Sequence, residues 1–300
     1  MKKINISRIF VIVAIVVSVL LLVAILLNLD LFLRLYQAYQ NGKLTMEVVQ
    51  YEIASYDIRQ PFPVMPKSSK VSPKDGMTQI YIPAGEFIMG SGDDLRTDNP
   101  QHRVYMDSFW MDEVEVTNAM YAKCFKVGIC GHPANYDTYY GIWAYRDYPV
   151  VYVNWYQADQ YCHWVGRSLP TEAQWEKAAR GTDGRRYPWG NRLPTPLLAN
   201  FNLSMIGEPV PAFRYPLGAS PYGALNMAGN VREWIADWYD ESYYQSSPYA
   251  NPTGPATGTQ RSLRSGSYAE DQQQISVYTR FKHLPDSAGL SRGFRCAEYP

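Results

Sequence analysis

The 300-residue chain has only four cysteines, only four histidines and no excess charge of either sign, and each shortage closes off a kind of chemistry. Lysine and arginine total 28 and are matched by 28 aspartates and glutamates. Without a clustered basic stripe there is no electrostatic footprint for nucleic acid, so no nucleic-acid partner is expected. None of the cysteines, Cys124, Cys130, Cys162 and Cys296, stands in C-x-x-C spacing, which argues against a zinc site. The histidines, His102, His132, His163 and His283, are scattered, and no pair has the i, i+4 spacing that presents two ligands from one helix face. No internal repeat is visible, and Ala269–Tyr278 near the C-terminus contains neither cysteine nor histidine.

Long apolar runs are also scarce, with one exception. Ile9–Leu27 is nineteen uncharged residues, almost all aliphatic. At about 1.5 Å per residue it matches the ~30 Å hydrocarbon layer as one helix. A cleaved signal peptide is the rival reading, but its apolar stretch would be shorter, and Asn28-Leu29-Asp30-Leu31 makes a poor cleavage site. Lys2, Lys3 and Arg8 precede the run and Asp30 follows it, which orients the N-terminus toward the cytoplasm. The expectation is a single-pass cell-membrane protein: residues 1–8 cytoplasmic, 9–29 in the bilayer, 30–59 a juxtamembrane helical segment, 60–77 a proline-rich linker, and 78–300 a folded extracytoplasmic domain. Four cysteines allow two disulfides in three pairings, which an oxidising compartment would preserve. If the orientation is reversed, four buried free thiols are the plainer reading.

Within the domain, regular elements read as short and connections as long. Gln79–Ile82 and Glu86–Met89 flank Pro83-Ala84-Gly85 and suggest a hairpin, and Val104–Met111 suggests a further strand. Thr117 can cap a helix over 118–127 closed by Gly128, and Asn154 a helix over 155–165. Thr171-Glu172-Ala173-Gln174 is a capping box for a helix running to Arg180 and stopping at Gly181. Gly181–Pro300 reads mostly as loops and short strands, giving an α+β domain of low regular content. Cys124 and Cys130 straddle the Gly128 helix end and are candidates to pair, in a structural role.

Five ordered blocks carry a resemblance. They are Ile82-Pro83-Ala84-Gly85-Glu86-Phe87; Glu115-Val116-Thr117-Asn118; Gly166–Gly181 with Tyr187-Pro188-Trp189-Gly190; Asn226–Trp234; and Arg261–Tyr268 with Arg292-Gly293-Phe294-Arg295-Cys296. Together they resemble the formylglycine-generating enzymes (sulfatase-modifying factors) over residues 78–298. The resemblance implies a variant of the C-type lectin fold and a Cys162–Cys296 disulfide, which would close a loop worth about 4–5 kcal/mol of chain entropy. It also implies a calcium site with Asn226 and Glu233 as side-chain ligands and Gly229 and Val231 as carbonyl ligands. A Gly-Asn turn leading into an amphipathic strand is the plainer reading of that segment. At the family's other calcium site Asn200 matches, but the following loop offers Glu208 and no aspartate.

At the catalytic positions this chain departs from the family. There the stretch after Gly-Ser-Tyr supplies two thiolates that hold copper and activate oxygen. Here Glu270 stands at the first and the second falls near Ile275. Arg232 replaces a tryptophan lining the oxygen pocket, Ser291 replaces an asparagine, and Ser267 alone matches. Soft Cu(I) wants sulfur, so no copper is expected. The reading is a non-catalytic module that binds a protein, peptide or glycan, or serves as a subunit of a membrane complex. Its candidate binding residues are Arg232, Ser267, Tyr268, Glu270 and Asp271. The alternative is an enzyme, either forming formylglycine from a sulfatase cysteine or running other chemistry on the same scaffold. Adjacent carboxylates among glutamines, as at Glu270 and Asp271, are also what a solvated loop looks like.

Overall fold

The computed structural model describes residues 68–92, 98–135 and 139–299. The chain divides into two units, Met1–Asp57 and Ile58–Pro300, and every described residue belongs to the second. The expected cytoplasmic segment, membrane helix and juxtamembrane segment, and linker residues 60–67, lie outside the described residues. Among the described residues no helix is long and apolar enough to cross a membrane.

The rest of the expected linker is part of the fold. Strand β1 (Ser69–Val71) pairs antiparallel with β2 (Thr78–Ile82), and Met77 is fully buried. Between them Asp75 accepts hydrogen bonds from Arg167 and Tyr161, so a buried charge partner fixes a segment whose prolines only suggested extended chain.

The expected hairpin does not form. β2 pairs with β5 (Phe109–Asp112), whereas β3 (Gly85–Met89) pairs with β4 (His102–Met106) in a separate two-stranded sheet. The strand expected over 104–111 is therefore two strands, broken at Asp107-Ser108. The Lys177 ammonium explains both corners. It donates to the Pro83 carbonyl at 2.7 Å, the Gly85 carbonyl at 2.9 Å and the Met106 carbonyl at 3.4 Å, occupying acceptors at both chain reversals. Asn251 closes the second corner, accepting from the Asp107 amide and donating to its carboxylate.

The three α-helices among the described residues form where their caps lie. In α1 (Asn118–Lys126) the Thr117 hydroxyl accepts from the Met120 amide. α2 (Trp155–Trp164) opens on a reciprocal Asn154–Gln157 box, and α3 (Glu172–Arg180) on the Thr171–Gln174 box. A four-stranded sheet then runs β8 (Phe281–His283), β7 (Arg261–Arg264), β6 (Arg232–Trp238), β9 (Arg292–Gly293), with β6 and β9 parallel. β10 (Ala297–Glu298) completes the first sheet beside β5.

Two apolar cores meet at β6. Trp234 joins Tyr121, Tyr161 and Phe294, while its neighbour Ile235 joins Phe109, Trp175 and Met227. Successive strand residues point to opposite faces, so one strand walls off both cores. Disulfides fasten the first core: Cys162–Cys296 ties α2 to the chain just ahead of β10, and Cys124–Cys130 closes the end of α1.

Candidate functional site

The site is built on the turn entering β6 and the loop leaving β7. In the turn, Asn226 (φ 55°), Gly229 (φ 83°) and Asn230 (φ 65°) all take left-handed backbone. A Cβ at Gly229 would run into the Asn200 carbonyl, so only glycine fits there. Glu115 holds both asparagines, its carboxylate accepting from each Nδ2 at 2.8 Å. Burial pushes the Glu115 carboxyl up to about 7, against the pull of Arg295 and with the push of Glu233. From the β7 side, the Ser265 hydroxyl donates to the Asn226 and Gly229 carbonyls at 3.0 Å each, clamping turn to loop.

The loop then doubles back on Gly266 and brings Glu270 under Arg232. Glu270 accepts from the Ser267 amide at 2.5 Å, from the Ser267 hydroxyl, and from the Arg232 guanidinium. The guanidinium also lies over the Phe281 ring, 4.4 Å from its centroid. Arg232 keeps 25% of its side chain exposed and Glu270 only 9%, so the pair is reached from the arginine side. Tyr268 stands beside it. Its amide donates to the Asn230 carbonyl, and burial, then Tyr152, Glu270 and Glu208, raise its phenol above the ordinary value. Asp271 does not join them. It is exposed, and its carboxylate accepts from the Gln273 and Gln274 amides as a local turn cap. Ile275, near the second thiolate position, is fully buried.

Copper does not fit these residues, because all four cysteines of the chain are in disulfides and no thiolate is available to it. The expected calcium set does not fit as placed either. Both Glu233 oxygens face Arg295, at 2.7 and 2.8 Å, and one also accepts from the Trp175 indole at 2.7 Å. Asn226 turns its Nδ2 donor toward Glu115, and the Gly229 carbonyl already holds Ser265. A buried guanidinium on the only acidic ligand is the wrong charge beside a divalent ion. Among the described residues no three His, Cys, Asp or Glu side chains converge as a metal site.

Residues that sequence reasoning missed surround the pair. Phe281, His283 and Arg292 border it. Tyr139 lies near enough to Tyr268 to feel its charge; its hydroxyl donates to Glu208 at 2.9 Å and its ring is 4.9 Å from that of Tyr145. Arg292 was visible only as part of the Arg-Gly-Phe-Arg-Cys block. The crowding of tyrosine between 136 and 152 was the one signal for the aromatic side.

The chain belongs to a known family: residues 64–299 match the sulfatase-modifying factor enzyme 1-like domain. The chain is 33% identical to the formylglycine-generating enzyme of Streptomyces coelicolor, over 75% of this chain and 90% of that enzyme. It is 31% identical to the serine/threonine-protein kinase pkn1 of Chlamydia caviae, over 87% of this chain but only 43% of the kinase's length. The fold is shared with solved structures of Treponema denticola variable protein 1 (TM-score 0.66, 23% identity, 78% of this chain and 99% of that one) and of PvdO from Pseudomonas aeruginosa (TM-score 0.67, 21% identity, 81% and 100%).

Proposed function

We propose that this sulfatase-modifying-factor domain is non-catalytic and acts outside the cytoplasm, anchored by residues 9–29, as a binding or structural module. Its partner would be a protein, peptide or glycan, or the other subunits of a membrane complex. The carrying observation is the Arg232–Glu270–Ser267 cluster: Glu270, ion-paired with Arg232 and bonded to the Ser267 hydroxyl, fills a position where the family's chemistry needs sulfur. A partly exposed guanidinium backed by a carboxylate and an aromatic ring is a recognition surface rather than a redox one. The uncharged run at 9–27 and two disulfides in the chain support the extracytoplasmic placement.

Two measurements test the reading. Full-length chain incubated with Cu(I), oxygen and a Cys-x-Pro-x-Arg peptide should yield no aldehyde by mass spectrometry, and catalytic turnover would overturn the proposal. In cross-linking from native membranes, Arg232→Glu and Glu270→Arg should each lose the partner, and the double swap, which restores the ion pair, should not regain it. Recovery in the double swap would assign the pair a purely structural role.

A further inference from the structure

Beside the Arg232–Glu270 pair, positive charge is left over. β6 and β9 run parallel in a register that sets Arg232 opposite Arg292, so the two side chains leave neighbouring strands about 4.8 Å apart on the same face. Arg232 has a carboxylate partner. Arg292 has none among the described residues: its Nη2 donates only to neutral oxygens, the Ser287 hydroxyl at 3.3 Å and the Ala288 carbonyl at 2.5 Å. The Nε groups of both arginines are buried and find no hydrogen-bond partner among the described residues. His283, at the end of β8, faces the same cluster. Burial, then Arg292 and Arg232, hold its imidazole below the usual histidine value, and only Asp286 pulls the other way. Burial and Arg232 likewise lower Arg292.

Two half-buried guanidiniums, of which only Arg232 has a carboxylate partner, repel each other, an arrangement that costs free energy until an anion arrives. We propose that Arg232, Arg292 and His283 form an oxyanion subsite that takes a carboxylate or sulfate-type group of the ligand bound beside the Arg232–Glu270 pair. The inference rests on the binding role proposed above and adds the chemistry that the ligand must carry. Guanidinium forks match planar and tetrahedral oxyanions in two-point contacts, so either group can be held. A bound anion would sit between the arginines and the imidazole, opposing the positive charge that His283 now feels.

The test follows the His283 imidazole by NMR in the full-length chain, with its signal identified by loss in His283→Gln. Titrations in acetate, in inorganic sulfate and in chloride are compared at one ionic strength. The expected result is an upward shift of the His283 titration in acetate or sulfate relative to chloride. The acetate and sulfate arms say which oxyanion is preferred. Identical curves in all three salts overturn the proposal, and this comparison needs no variant. Arg292→Gln should weaken the anion response about tenfold, the loss of roughly one charge-assisted contact. Lys282→Gln removes a nearby charge whose ammonium lies over Tyr239 instead, and should leave the response intact. Equal weakening in both variants means diffuse screening and rejects the subsite. If His283 ignores the anions while partner capture still depends on Arg232, the subsite fails and the binding role stands. If the anions bind but capture survives both single charge reversals, the binding role fails instead.

Discussion

Asp237, on β6, carries the clearest pH signature of any single residue. It is buried against the first turn of α3, and its carboxyl accepts from the Glu172 amide at 3.0 Å. Burial, reinforced by the Glu172 carboxylate, pushes it up to about 8. A carboxyl raised on folding holds its proton more tightly in the native state. Its stabilising contribution is therefore complete below the unfolded value of ~4 and is lost as pH rises through about 8. Asp237→Asn, which is neutral at every pH, should melt progressively higher relative to the parent between pH 5 and 8. A constant difference across that range would mean that Asp237 does not titrate there. Little at this scale was legible beforehand. Glu270 could be recognised as standing where a thiolate belongs, but its partner Arg232 lies 38 residues away, and nothing local announces that contact.

Among the elements, α3 shows most plainly where sequence reading succeeds and where it stops. Its start and stop are local chemistry, and the Thr171–Gln174 box and Gly181 are where the residues indicate. Its surroundings are not local. Glu172, Glu176, Lys177 and Arg180 are all charged, yet each is at most 2% exposed. Arg264 and Arg280 meet Glu172, and Arg264 and Arg180 meet Glu176. Removing one partner strands charge in the interior, so Glu176→Gln should cost about 3–5 kcal/mol, whereas the cap deletion Thr171→Ala should cost only about 1 kcal/mol. Urea unfolding ranks the two, and equal costs would show that the buried ion network holds nothing. The β2–β3 hairpin failed for the same reason: its Pro-Ala-Gly turn is a local signal, and the acceptors that Lys177 occupies are not.

For the molecule as a whole, the family resemblance made the architecture legible because five blocks kept their order, while strand pairing stayed hidden. β10 pairs with β5 across most of the domain's length, Ala297 opposite Met111 and Glu298 opposite Trp110, and no short-range pattern encodes that. The two disulfides differ in the same way, with sequence separations of 134 and 6. Loop entropy rises with length, so replacing Cys162 and Cys296 by serine should cost about 4–5 kcal/mol, clearly more than the same change at Cys124 and Cys130. Guanidinium unfolding of the two double variants checks the order. β6 has a further consequence. Because Glu233 and Ile235 face one side and Trp234 the other, adding or deleting a single residue early in the strand would exchange the two interiors' occupants and carry the Arg295 counter-charge to the wrong side. Diverging relatives are thus free to vary this strand letter by letter but not in length, and their gaps should gather in the long connections on either side.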